Sequence, residues 1–195
     1  MSVALQAAPN LITAEEALRV QRAGPWELIR GRVVELMPGG GQHGAITSRL
    51  IIRLGGFIEA HGLGETFTSE TGVLLERGPD TVRAPDFAFT CDARADAEPP
   101  EGWVTTIPDL IVEVASPGDR RSSVDHKVQS WLNAGVRLVW EVSPARREIV
   151  VHHPEREPRV LSATDSVDGE DVVPGFCMLV GALFSRRRGR EAGSN

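Results

Sequence analysis

Residues 108–117 read PDLIVEVASP, and within them Leu110-Ile111-Val112 and Val114-Ala115 form an almost unbroken apolar run. A strand of that composition has both faces covered, which is the pattern of a central strand in a sheet flanked by helices. Pro108-Asp109 on one side and Ser116-Pro117-Gly118-Asp119 on the other end it, since proline and turn-forming residues do not continue a strand ladder. One residue interrupts the run. Glu113 is a carboxylate among aliphatic neighbours, and its charge is costly to bury without a partner cation or a metal. Glu113 is therefore a candidate for function, weighed against a simple salt bridge to one of the chain's 20 arginines.

Working outward, Val124, Val128, Trp131 and Leu132 recur at helical spacing, so a helix is expected over 124–134, closed by Gly135. A strand over 136–142 follows, then a hairpin loop Ser143–Arg147 and a strand over 148–152. Further short strands are expected near 158–162 and 170–173, and residues 174–184 read equally as a strand or a helical turn. Upstream, strands are expected over 66–76 and 84–90, separated by the turn Arg77-Gly78-Pro79-Asp80, with an exposed loop over 91–102. From His43 the positions Ile46, Leu50, Ile51, Leu54, Phe57 and Ile58 mark an amphipathic helix ending at Gly62. Leu28–Met37 reads as one or two strands of a hairpin. The capping box Thr13-Ala14-Glu15-Glu16 opens a short helix over about 14–22. This order predicts a single mixed α/β domain, a sheet flanked by helices.

Composition bounds the function. The chain has 195 residues, 41% of them hydrophobic and 25% charged, which excludes a disordered chain. No apolar run reaches the ~18 residues a spanning helix needs, and MSVALQAAPN lacks the features of a signal peptide; a cytoplasmic protein is expected. Cys91 and Cys177 stand far apart without metal-ligand spacing and are expected to be buried thiols. A formal charge of -6 argues against a broad nucleic-acid-binding coat but leaves room for a local basic path. The basic stretch Ser185–Arg190 is a solvated tail or a phosphate contact. Lysine occurs once, at position 127, where arginine would be a poor substitute for a tunable amine.

Two Pro-Asp pairs adjoin strands: Pro85-Asp86 and Pro108-Asp109. Asp109 and Glu113 share a strand face but lie roughly 13 Å apart at ~3.3 Å per residue, so Asp109 is expected to serve a turn or cap. Asp86 begins a different strand and lies beside Glu113 if the two strands pair; adjacent carboxylates suit Mg²⁺. Lys127 follows on the next helix, where an ammonium could orient a water or stabilise an anionic oxygen. Glu70, Glu35 and His43 are secondary candidates for the same site. His61, His152 and His153 read as element-end residues.

Taken together, Arg83-Ala84-Pro85-Asp86, Gly102-Trp103, the 108–117 run, Asp125-His126-Lys127 and Trp131-Leu132-Asn133-Ala134-Gly135-Val136 resemble the Uma2 family, also called domain of unknown function 820. The resemblance spans about 11–184, with 1–10 and 185–195 as flexible termini. It implies a restriction-endonuclease-like mixed β-sheet flanked by helices, with additional N-terminal and C-terminal strands, of the PD-(D/E)xK nuclease superfamily. It further implies that Asp86 and Glu113 hold Mg²⁺, with Mn²⁺ as a substitute, and that a lysine assists the water attacking DNA. That lysine would stand at Ala115 and is absent; the resemblance implies that Lys127 delivers the amine from the adjoining helix, as in other branches of the superfamily. Arg83, Arg120 and Arg121 would contact phosphates, and a homodimer would supply two sites for two strands. Two other readings remain: a silent binding or assembly protein retaining the fold, and another metal-dependent phosphoester hydrolase.

Overall fold

The strand that carries Glu113 lies in the middle of the largest sheet. The computed structural model describes residues 11–20 and 23–185. In chain order the elements are α1 (Ala14–Ala17), β1 (Trp26–Ile29), β2 (Arg32–Glu35), α2 (Gly41–Leu50), a π turn (Ile51–Gly55), α3 (Gly56–His61), β3 (Gly64–Thr68), β4 (Val73–Glu76), β5 (Thr81–Arg83), β6 (Phe87–Cys91), β7 (Leu110–Val114), α4 (Arg121–Asn133), β8 (Leu138–Ser143), β9 (Glu148–His153), β10 (Arg156–Leu161), β11 (Ser166–Gly169), β12 (Val173–Leu179) and α5 (Gly181–Phe184).

The six-stranded sheet runs β10-β9-β8-β7-β6-β3, and all five residues of β7 are buried. On one face Leu110, Val112 and Val114 pack with Ile46, Leu50, Leu54 and Ile58 from α2 to α3. On the other, Ile111 packs with Ala88, Val139 and the α4 residues Val128 and Trp131. Two covered faces explain the continuous apolar run. β7 and β8 are parallel, so the chain must cross over between them, and α4 is that crossover. A glycine in the left-handed region ends the helical segments at Gly62 (φ 57°) and follows α4 at Gly135 (φ 103°), as the spacing predicts.

A second, four-stranded sheet runs β2-β1-β5-β4. Its core is Ala14, Ala17, Leu28, Leu74 and Val82, and its hairpin turns through Arg30 and Gly31, both at positive φ. The Thr13–Glu16 capping box forms as expected, but α1 ends at Ala17, well short of the predicted 22. The predicted strand over 66–76 divides into β3 and β4, which belong to different sheets. β5, within the stretch read as turn and connection, is only three residues long, too short to show a two-residue period. The predicted continuous helix from 43 contains a π turn ahead of the Gly55-Gly56 pair, where two glycines weaken the α-helical ladder. Residues 173–179 form a strand and 181–184 a helical turn, so both readings of that stretch hold in sequence.

The thiols are a correction. Cys177 is exposed and Cys91 only half-buried, because each falls at a position where strand alternation or a strand end turns it outward. Asp109 is a deeper structural residue than a turn cap: it is fully buried, accepts a bond from Cys91 N–H at 2.9 Å, and is braced by Arg94 and Arg137. Among the described residues no helix is long and apolar enough to cross a membrane. The basic stretch Arg186–Arg190 lies outside the described residues.

Candidate active site

β6 and β7 pair antiparallel with Phe87 opposite Val112. One step further in that register, Asp86 stands opposite Glu113. The carboxylate of Asp86 accepts a hydrogen bond from the Val114 backbone N–H at 2.7 Å and lies 3.1 Å from His43 Nε2, both through Oδ2. Its Oδ1 is more open, its hydrogen-bond partner among the described residues being Ser69 Oγ at 3.5 Å. His43 reaches it from the first turn of α2. The bond to Asp86 raises the His43 pKa above its ordinary value, against the opposing effect of burial.

Glu113 is 6% exposed. Its Oε1 accepts a hydrogen bond from the Trp131 indole N–H at 2.7 Å, and its Oε2 lies 2.9 Å from Lys127 Nζ. Both partners come from α4, four residues apart and hence on one helix face. Burial pushes the Glu113 carboxyl up to about 7; Lys127 opposes this, and the nearby charges of Asp86 and Glu27 add to it. For Lys127, burial pulls the pKa down, but Glu113 and then Glu27 outweigh it and the net shift is upward. These ion pairs favour the protonated form of the amine. In that form it can donate hydrogen bonds and stabilise negative charge.

Sequence reasoning missed Glu27. This β1 residue is 4% exposed and accepts from Arg83 Nη1 at 2.7 Å and from the Ala84 N–H at 3.2 Å, and it lies 3.5 Å from Lys127 Nζ. The signal was available in Trp26-Glu27-Leu28-Ile29, a carboxylate inside an apolar strand, as at Glu113. Trp131, placed on α4 by its helical spacing, packs in the core, and its indole N–H also orients Glu113.

The secondary and basic candidates sort by placement. His43 meets Asp86 directly. Glu70 sits in the exposed turn after β3 at φ 82°, and its neighbour Ser69, rather than Glu70 itself, approaches Asp86. Glu35 is exposed on the edge strand β2 of the small sheet. Arg83 is committed to Glu27 and is 13% exposed. Arg121 is tied to Glu141 and Asp125. Arg120 is exposed at the N-cap of α4 and makes no ion pair among the described residues.

As for a metal, no group of three or more His, Cys, Asp or Glu side chains fit to hold an ion occurs among the described residues. Two adjacent carboxylates do occur. That set fits Mg²⁺, which keeps several waters and is bound through one or two carboxylates plus substrate phosphates. Three carboxylates, Asp86, Glu113 and Glu27, gather here with Lys127, Arg83 and His43 as their cationic partners.

Comparison with known proteins agrees with the fold. The family model named Uma2, described as "Putative restriction endonuclease", matches residues 14–181. A crystal structure described as "a putative nuclease belonging to DUF820 from Anabaena variabilis ATCC 29413" superposes with a TM-score of 0.75 at 20% identity, covering 89% of this chain and 97% of that one. At that identity the likeness speaks for the fold. No curated protein matches the sequence.

Proposed function

Since the chain belongs to the Uma2 family, a family of restriction-endonuclease-like proteins, we propose that it hydrolyses phosphodiester bonds of DNA with Mg²⁺, or Mn²⁺ in its place. The observation supporting this reading is the meeting of Asp86, Glu113 and Lys127 at one end of the β6–β7 pair, with Lys127 Nζ 2.9 Å from Glu113 Oε2. Asp86, through its open Oδ1, and Glu113 would hold the ion. A bound Mg²⁺ lowers the pKa of a coordinated water and neutralises phosphate charge.

The residues of the chain supply the rest. Val114 N–H and His43 hold the Asp86 carboxylate in one orientation, leaving its second oxygen outward. Trp131 does the same for Glu113. Lys127, paired with Glu113 and Glu27, positions the attacking water and stabilises the charge that develops on the phosphoryl oxygens. Arg120, exposed at the start of α4, is the best placed of the three proposed phosphate contacts, with Arg121 and Arg83 already engaged. Cutting both strands of a duplex calls for two copies of the site, hence a homodimer.

The test is calorimetry with Mg²⁺ and Mn²⁺ on wild type and Asp86→Ala, followed by gel assays on single-stranded, double-stranded and branched DNA. Binding lost in the variant together with Mg²⁺-dependent cleavage by wild type is the expected result. Metal binding without DNA cleavage would direct the reading to another phosphoester substrate. No metal binding even with DNA present would reduce the protein to a binding module on a nuclease fold.

A further inference from the structure

The small sheet touches the candidate site through one side chain. Glu27 projects from β1, and both of its carboxylate oxygens are occupied: Oε2 by Arg83 Nη1 at 2.7 Å, Oε1 by the Ala84 N–H at 3.2 Å and by Lys127 Nζ at 3.5 Å. Lys127 in turn donates to the Ala84 carbonyl at 3.2 Å. Glu27, the Ala84 peptide and the lysine amine therefore close a three-cornered link, and Ala84 lies two residues before Asp86 in the chain. Glu27 carries three contacts on its two oxygens, a guanidinium among them, whereas Glu113 has one contact on each oxygen and Asp86 Oδ1 has Ser69 Oγ at 3.5 Å.

A lysine side chain on a helix has four rotatable carbons and, left alone, extends its amine into water. Lys127 instead is three-quarters covered, with its amine directed to Glu113, Ala84 and Glu27. Glu113 alone would hold one side of that amine. Glu27 holds the other and at the same time pins the segment that leads into Asp86.

We infer that Glu27 is a positioning residue, which sets the place of the Lys127 amine relative to Asp86 and Glu113 by gripping Lys127 and the Ala84 backbone together. This role rests on the proposed phosphodiesterase reading. It also makes the small sheet part of the working site, since β1 carries the grip.

Because Lys127 is the chain's only lysine, lysine acylation reads its amine alone. Full-length wild type, Glu27→Gln and Glu27→Asp would be treated with limiting acetyl-N-hydroxysuccinimide, and the rate of label entering the peptide that carries Lys127 followed by mass spectrometry. In parallel, kcat and KM for DNA cleavage would be measured, with thermal unfolding as the check on folding. A lost contact to a charged group is worth about a factor of ten or more. Glu27→Gln should therefore acylate Lys127 about tenfold faster and lose about tenfold in kcat with KM little changed, and Glu27→Asp, which keeps the charge, should recover part of both. Should Glu27→Gln fail to fold, Glu27→Asp carries the same comparison with smaller shifts. Wild-type labelling in the folded variants overturns the inference, as does faster labelling with kcat unchanged. If wild type cleaves no nucleic acid, the phosphodiesterase reading fails, and the labelling rates still decide whether Glu27 holds the lysine.

Discussion

Glu113 and Glu141 stand side by side in register on the parallel strands β7 and β8, and their contrast separates a finished structural contact from an unfinished site. Both are carboxylates in apolar strands, 6% and 1% exposed. Glu141 meets His152 Nε2 at 3.1 Å, Arg121 and, more distantly, Arg146 at 3.8 Å. Burial pushes its pKa up, but the bonds from His152 and Arg121 more than compensate and hold it below the usual range. Glu113 has the Trp131 indole and one ammonium, with two further carboxylates near it, and burial leaves it raised to about 7. A buried carboxylate with surplus cations is settled. One crowded by like charges is pushed toward its protonated form unless a further cation joins it, a pattern that structural ion-pair networks and functional sites share.

The largest way to break this comparison is in activity. A metal or an oriented charge supplies several kcal/mol to phosphoryl transfer, and each ~1.4 kcal/mol is tenfold in rate. Glu113→Gln is therefore expected to lower Mg²⁺-dependent cleavage by roughly 10³-fold, whereas Glu141→Gln stays within about threefold of wild type. Equal losses in a gel assay would erase the distinction between the two strands.

Stability should invert the order. Removing one partner of a buried, paired charge typically costs about 3–5 kcal/mol, and Glu141→Gln leaves two arginines and a histidine around a neutral amide. Its urea midpoint should fall by an amount corresponding to roughly 3 kcal/mol. Glu113→Gln should lose less, since it relieves crowding among carboxylates as it breaks the Lys127 pair. A larger loss at Glu113 than at Glu141 would show that the Glu113 pair is a structural contact after all.

Why Glu113 was legible and Glu27 was not has a physical answer. The five buried residues of β7 make an apolar run in which any charge stands out. Asp86 followed from strand pairing, because Pro-Asp opens a strand that can lie beside β7. Lys127 stood out as the single lysine, and helical spacing placed it on α4. Glu27 belongs to a four-residue strand of a separate small sheet, and its approach to Lys127 depends on how two sheets meet, which no local period encodes. The same holds for Arg83 and Arg121: both are basic residues near the site in sequence, yet only tertiary partners reveal that their guanidinium groups are already committed to Glu27 and Glu141. Element types were readable wherever the apolar period ran for several residues; they failed at the three-residue β5 and near 170–173, expected as a strand, where 170–172 form the turn between β11 and β12.

A smaller effect concerns pH. With Glu113 raised from its ordinary 4.5 to about 7, the folded protein holds a proton that the unfolded chain has already released. The stability it contributes is full below about pH 4.5 and is lost as pH rises through about 7. His43, also raised, acts in the same sense from 6.5 upward. Glu141 and Asp109, both lowered, contribute stability above the ordinary carboxylate range and lose it only on acidification, so they are silent between pH 5 and 8. Wild type in chelator should thus lose stability from pH 5 to pH 8, on the order of 2 kcal/mol, and Glu113→Gln should flatten most of that slope. A level thermal-unfolding midpoint across that range in wild type would remove the claimed difference between Glu113 and Glu141.

The smallest effect tests redundancy around Glu141. Arg121 is half-exposed, and its ion pair with Glu141 is shared with Asp125 on its own helix. An exposed guanidinium gains modest Coulomb energy in water-like surroundings and is screened by salt, so such pairs contribute about 0–1 kcal/mol. When Arg121→Ala removes it, Glu141 retains His152 on one oxygen and Arg146 within 3.8 Å of the other. The variant should therefore unfold within about 1 kcal/mol of wild type, with the difference shrinking further in high salt. Glu113 has no such reserve, because Lys127 is its one cationic partner among the described residues. A drop of several kcal/mol for Arg121→Ala in urea would mean that Glu141 is as dependent on a single cation as Glu113, and that its low pKa reflects one indispensable pair rather than a surplus.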